Sequence, residues 1–317
     1  MGDNQALGNL EEEYDERRHQ PVRDRIRYTS LYLLKQTKGP KRLESEVKKV
    51  KTHTFRELHA NPKKPLILPN IWDVAGARLI ESLGAKAVAT TSAGVAWSLG
   101  YPDGNYMSAR LQARLAEEIV KAVKVPVSVD FEGGYSNKPS VVVENLKPLA
   151  AAGIAGINIE DGTDAPALLA KKIEAIKKLT SSLGVDVFVN ARTDVYLQDL
   201  VADEKKVQET LDRAAVYQSA GADGLFVPGL TDVSEIAQIT KGTDLPVNLM
   251  SSSVLPKVDE LAKLNVRRLS AGTAIAQIAY KQVARLGENF LKNGDSAVFN
   301  EDALPYSQFQ NLFEGRE

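Results

Sequence analysis

From Pro65 onward the chain alternates short β-branched runs with longer amphipathic stretches, and this alternation restricts the fold more than any other feature. The strand-like runs are "LILPN", "AVATTS", "PVSVDFE", "GINIED", "DVFVNART", "GLFVPG", "PVNLMS" and "VRRLSAG", and helical patterns between them cover Asp73 to Leu83, Ala109 to Val123, Ala165 to Leu183 and Glu204 to Ala220. Strict alternation requires parallel pairing. Eight such units within about 230 residues predict an α/β fold, a closed (β/α)8 TIM-type barrel over residues 63–294, in preference to an open doubly wound sheet. No Gly-x-Gly-x-x-Gly opens a helix, which weakens the dinucleotide-binding alternative further.

Outside that region, residues 1–62 are dense in both charge signs. They predict a helical N-terminal extension broken near Gly39 and Pro40, with Leu31, Leu33 and Leu34 at helical spacing. The basic residues at 38–42 and 48–51 read as a solvated face, and no chemistry is assigned there. With 40 basic and 41 acidic residues among 317, the net charge of −1 gives no reason to expect a nucleic-acid or anionic-membrane partner. No apolar run reaches the ~18 residues of a membrane span, and the acidic opening "MGDNQALGNLEEEYDERR" is unlike a signal peptide, so a cytoplasmic location is expected.

The chain has no cysteine, and its three histidines, His19, His53 and His59, all precede the barrel. A metal bound in the barrel must therefore use oxygen ligands. The stretch "SVDFEGGY" supplies candidates, since a strand of period two puts Asp130 and Glu132 on one face, where paired carboxylates call for a cation. In a barrel of this type functional groups gather where strands end. The strand ends here read Asn70 and Asp73, Ser92 and Gly94, Asp130 and Glu132, Glu160 and Asp161, Asn190, Arg192 and Asp194, then Pro228, Asn248 and Ser270. Asp73 and Asp194 are also suited to capping the helices that follow.

The ordered pieces "PNIWDVAGARLIESLGAKAVATTSAG", "SLGYPDG", "VDFEGGYSN", "AGIAGINIEDG" and "VNARTD" resemble the isocitrate lyase and phosphoenolpyruvate mutase superfamily from Pro65 to Asn293. The resemblance implies a Mg2+ ion, replaceable by Mn2+, at the barrel mouth, with Asp130 as direct ligand and Asp103, Glu132 and Glu160 acting mostly through water. It further implies that Ser92, Ala93, Gly94 and Arg192 grip a small carboxylate substrate, with Asn248 beside them. Arg192 has a planar fork suited to that contact. A metal-chelated 2-oxo acid then loses a substituent to form an enolpyruvate-like species, with Arg192, Glu160 and Tyr135 as the catalytic side chains.

Two departures from the superfamily narrow the chemistry. Its carbon-carbon lyases carry a Lys-(Lys or Arg)-Cys-Gly-His loop after the fourth strand, where this chain has only "GTDAP". The mutase branch places lysine and asparagine in a longer loop and a histidine late in the barrel, and neither is present. Cleavage of lyase or decarboxylase type on a small 2-oxo or 2-hydroxy dicarboxylate depends least on the missing parts, with Tyr135 or water protonating the enolate. Phosphoenolpyruvate or phosphonopyruvate mutase or hydrolase chemistry, and a non-catalytic ligand-binding barrel, stand as alternatives.

The last barrel helix places Ile275, Ile278, Val283, Leu286 and Phe290 along one side. Residues 295–317 add Leu304, Tyr306, Phe309, Leu312 and Phe313. Members of the superfamily exchange this helix between subunits, so the resemblance implies a homo-oligomer, a helix-swapped tetramer, with the tail in the interface.

Overall fold

In the computed structural model of the protein, residues 40–294, 296–299 and 303–314 are described; the expected helix around Leu31, Leu33 and Leu34 lies outside them. Among the described residues, those up to Val50 and those from Lys51 onward fall in two separate compact units. Helix α1 (Pro40–Ala60) begins at the expected break, with Pro40 in its first turn, where the missing N–H costs nothing. From Lys51 onward α1 belongs to the same unit as the barrel.

The barrel strands are β1 (Leu66–Leu68), β2 (Asn70–Ile71), β3 (Val88–Thr90), β4 (Val127–Asp130), β5 (Gly156–Glu160), β6 (Phe188–Arg192), β7 (Gly224–Val227), β8 (Val247–Met250) and β9 (Val266–Ser270). All pair in parallel in the order β1-β9-β8-β7-β6-β5-β4-β3-β2. The expected first strand is thus divided at Pro69, which has no N–H for a ladder. Its first half pairs with β9 and its second half with β3, and this division closes the ring of eight units.

The helices of the ring are α2 (Val74–Ser82), α3 (Ser92–Ser98), α4 (Ala109–Ala122), α5 (Pro139–Ala152), α6 (Pro166–Leu183), α7 (Asp203–Ser219), α8 (Val233–Gly242), α9 (Val258–Lys263) and α10 (Ala274–Asn293). Outward strand residues such as Val129, Ile157, Ile159, Val189, Leu225 and Leu249 are buried with helix residues Ile119, Leu146, Ile173 and Ile176 in one large apolar layer. Alternate positions turn polar groups inward: Ser128, Asn158, Asn190, Asn248 and Arg268 are all buried. A bulge between β8 and β9 puts Arg268, rather than Arg267, opposite Asn248. At the amino end of the barrel Phe55 of α1 packs edge-on to Phe188, and Arg56 pairs with Asp186 at 2.6 Å.

Beyond the ring, α10 keeps only Ala276 fully buried and exposes Ile278, Val283 and Leu291 by 61%, 65% and 88%. A short 3-10 turn (Ala297–Phe299) and helix α11 (Tyr306–Asn311) follow. The tail returns to the barrel: Arg78 of α2 donates to Leu312 O at 2.5 Å and lies over the Phe313 ring.

Candidate active site

Strand β4 ends at Asp130, so Asp130 and Glu132 do not share a strand face as the alternation predicted. Instead the chain turns through Glu132 at φ 48°, Gly134 at φ 81° and Tyr135 at φ 58°. Left-handed backbone at two non-glycine residues costs about 1–2 kcal/mol each, and local hydrogen bonds hold it. Glu132 accepts from Tyr135 Oη at 2.8 Å and from the Asn105 amide. Gly134 N donates to Phe131 O at 2.9 Å, and Asn145 Nδ2 to Gly134 O at 3.1 Å. A Cβ on Gly134 would stand 2.8 Å from Val142 Cγ1, so this turn needs glycine twice over, for its φ and for the close approach of α5.

Asp130, the last residue of β4, immediately precedes this turn. One carboxylate oxygen, Oδ2, accepts weakly from Ser92 N at 3.4 Å, while the buried Oδ1 has no partner among the described residues. Burial pushes the Asp130 carboxyl up, against the pull of Arg192. Glu132 is likewise raised, chiefly by burial, with Asp130 and Asp103 adding repulsion. Exposed Asp103 therefore belongs to the field of the cluster, although no hydrogen bond fixes it there. Burial pushes Glu160, at the end of β5, up to about 8; Arg192 opposes this and Asp130 reinforces it.

Arg192 closes the cluster on the neighbouring strand. Its Nη1 meets Glu160 Oε2 at 2.6 Å, and Nε and Nη2 meet Asp194 at 2.7 and 3.1 Å. Asp194 was expected to cap a helix. Its carboxylate is spent on Arg192 instead, and the next helix starts only at Asp203. Asp73 does cap, accepting from Gly76 N at 2.6 Å.

Behind Arg192 lies a layer that strand-end reading placed at the mouth or did not detect. Asp161 is buried, and its Oδ2 accepts from Arg213 at 2.8 Å and Tyr217 at 2.5 Å, while its Oδ1 accepts from Asp194 N at 2.9 Å. It is therefore a bracket for the Arg192 strand end. Lys172, on α6, is also buried and donates to Gly133 O at 2.8 Å, propping the Glu132 turn. The sequence signal for Lys172 was weak, because a lysine in an amphipathic helix ordinarily faces solvent.

The remaining predicted residues divide. Ser92, Ala93 and Gly94 form the first turn of α3, with Ser92 N on Asp130, so they follow β3 as a helix start and not as an open loop. Gly94 is required by packing, since a Cβ would stand 2.7 Å from Thr91 Cγ2 and 3.0 Å from Trp72 Cβ. Asn248 lies within β8, level with Arg268, and its Oδ1 accepts from Ser270 Oγ at 3.3 Å. Its Nδ2 has no partner, and no hydrogen bond joins Asn248 to the carboxylate cluster.

Among the described residues no three of His, Cys, Asp and Glu converge tightly enough to hold an ion by protein ligands alone. The unpartnered buried Oδ1 of Asp130, amid carboxyls that burial pushes up, nevertheless fits a hard cation that keeps most of its water, as Mg2+ does.

The profile described as phosphoenolpyruvate phosphomutase matches residues 55–291, the whole barrel. The chain belongs to this family. It is thereby an enzyme of the isocitrate lyase and phosphoenolpyruvate mutase superfamily, which contains lyases and mutases. An uncharacterized protein of Mycobacterium tuberculosis is 39% identical over 69% of this chain and 82% of its own length. The 2,3-dimethylmalate lyase of Eubacterium barkeri is 29% identical over 81% and 92%, and an oxaloacetate decarboxylase of Pseudomonas fluorescens (strain SBW25) 29% over 69% and 77%. A crystal structure from Burkholderia cenocepacia J2315, described provisionally as a lyase/mutase, superposes with a TM-score of 0.78 at 32% identity, covering 86% of this chain and 99% of that one. Among the described residues no helix is long and apolar enough to cross a membrane.

Proposed function

We propose that the barrel mouth cleaves a small 2-oxo or 2-hydroxy dicarboxylate, by a lyase or decarboxylase reaction, through an enolpyruvate-like intermediate. The observation that carries this reading is the convergence of Asp130, Glu132, Glu160 and Arg192, with Asp130 Oδ1 buried and unpartnered. Asp130 would hold a Mg2+ ion directly, and Asp103, Glu132 and Glu160 through water. When bound, that ion polarises the 2-oxo group and stabilises the enolate.

The chain's own groups orient and protonate. Arg192 is held by Asp194 and Glu160 with donors to spare, and a substrate carboxylate takes these up. At the α3 start Ser92 N is turned to Asp130, and the neighbouring N–H groups of Ala93 and Gly94 would face the substrate carboxylate. The Tyr135 hydroxyl, which donates to Glu132 at 2.8 Å beside the cluster, would supply the proton for the enolate carbon. Relatives named for 2,3-dimethylmalate and oxaloacetate cleavage support carbon-carbon chemistry.

A screen of 2-oxo and 2-hydroxy acids for pyruvate release, with and without Mg2+, tests the proposal. Metal-dependent release from at least one of them is expected. Turnover of phosphonopyruvate alone, followed by phosphorus NMR, would replace it with the phosphorus-carbon reading. The protein acts as a homo-oligomer in this proposal, with the exposed apolar residues of α10 in the interface.

A further inference from the structure

Beside the carboxylate cluster lies a cavity of about 330 Å³, bounded by the Glu132 turn and the short connection from β5 to α6. Glu160 and Tyr135 form the wall shared with the cluster, and Asn137, Thr163, Asp164 and Lys172 contribute to the rest. Among the described residues lining it there is no aliphatic side chain. Its volume lies at the lower end of small-molecule pockets, about 300 Å³ and upward, and exceeds what a departing carbon dioxide molecule needs.

Lys172 is an independent observation. It is only 3% exposed, and the sole acceptor it meets among the described residues is Gly133 O at 2.8 Å. An ammonium carries further N–H donors, and a buried one is costly unless they are met. Asp164 and Glu160 offset its charge. The cavity therefore offers hydrogen bonds without a strong positive field, which suits hydroxyl oxygens better than a second carboxylate.

We infer that this cavity receives the fragment released on cleavage, and that the fragment is a neutral, hydroxylated aldehyde, so that the substrate is a 4-hydroxy-2-oxo acid bearing further hydroxyls. This rests on the enolate-forming reading above and replaces the dicarboxylate in it. The C3–C4 bond breaks and its electron pair passes into the C2 carbonyl, giving the enolate of pyruvate. The C4 hydroxyl gives its proton to water in the cavity as C4 becomes the aldehyde carbon. The enolate takes a proton at C3 from Tyr135 Oη, which is reprotonated by the water that received the C4 proton, and pyruvate leaves. No oxidant or reductant is required. Lys172 donates to a hydroxyl oxygen of the aldehyde portion.

The test compares kcat/KM for 4,5,6-trihydroxy-2-oxohexanoate, 4-hydroxy-2-oxohexanoate and oxaloacetate, in Mg2+, on the wild-type chain and on Lys172→Met and Thr163→Val. The first two substrates share the reacting carbons and differ only in the remote hydroxyls. The trihydroxy acid is expected to be favoured about tenfold or more over 4-hydroxy-2-oxohexanoate, with that ratio falling toward one in Lys172→Met and declining in Thr163→Val. Equal rates for the two six-carbon acids, or turnover of oxaloacetate alone, would overturn the inference and leave the enolate-forming reading standing. Loss of both six-carbon activities by the same factor in Lys172→Met, with the ratio unmoved in Thr163→Val, would reduce Lys172 to a prop of the turn and also overturn it. Inactivity of the wild-type chain toward all three would remove the parent reading, and the inference with it.

Discussion

Arg192 donates to both carboxylate oxygens of Asp194, from Nε at 2.7 Å and from Nη2 at 3.1 Å, while its Nη1 holds Glu160 at 2.6 Å. One planar group thus joins two strand ends and still retains donors for a ligand. Arg192→Lys keeps the charge but cannot span both carboxylates. We expect kcat/KM to fall by roughly a hundredfold, mainly through KM, with part of the loss traceable to stability because a buried carboxylate is left short of a partner. Steady-state kinetics and a denaturation curve on the same preparation check this. Unchanged kinetics would make Arg192 purely structural.

Acid sensitivity should come in part from the amino end of the barrel. His59 is buried against Phe188, with Nδ1 2.8 Å from Phe55 O, and burial, assisted by Arg268 and Arg56, lowers its pKa to about 3. The unfolded chain takes up this proton near pH 6.5 and the folded one does not, so the contribution is fully present above about pH 6.5 and is lost as pH falls toward 3, at up to ~1.4 kcal/mol per unit. His59→Phe retains the stacking and removes the titration. Urea midpoints at pH 7.5 and pH 5.0 should differ less in the variant than in the wild type, and equal differences would show that His59 does not contribute.

The barrel was legible because β-branched runs and amphipathic stretches alternate on scales that local physics fixes. The candidate site was legible in part. Asp130, Glu160 and Arg192 stand at strand ends and meet as the strand order requires. Glu132 was placed by period two, but the strand had already ended and Gly133 and Gly134 redirect the chain. Asp161 looked like a mouth residue because its partners, Arg213 and Tyr217, lie 52 and 56 residues away on α7, and nothing local announces them. Arg268 faces the bore because of a bulge against β8, which the run "VRRLSAG" does not reveal.

The apolar residues of α10 bear on assembly. Val283, Phe290 and Leu291 are exposed by 65%, 47% and 88%, and in the proposed oligomer a neighbouring subunit covers them. Light scattering at micromolar concentration should give a multiple of the 34.5 kDa chain mass. Truncation after Gly294 should lower solubility and stability, since it removes the Leu312 and Phe313 contacts with Arg78. A clean monomer mass for the full-length chain would contradict the oligomer.

The account depends most on Asp130 as the direct ligand of a divalent cation. Mn2+ titration followed by electron paramagnetic resonance, on the wild-type chain and on Asp130→Ala, addresses this without reference to any substrate. One ion per chain is expected in the wild type, with affinity weakened by about a hundredfold or more in the variant, because the proposed site takes its direct protein oxygen from Asp130. Removing a buried, unpartnered carboxylate oxygen should leave the metal-free variant at least as stable as the wild type. Binding of equal strength in both proteins, or no bound ion in the wild type, would contradict the proposed site.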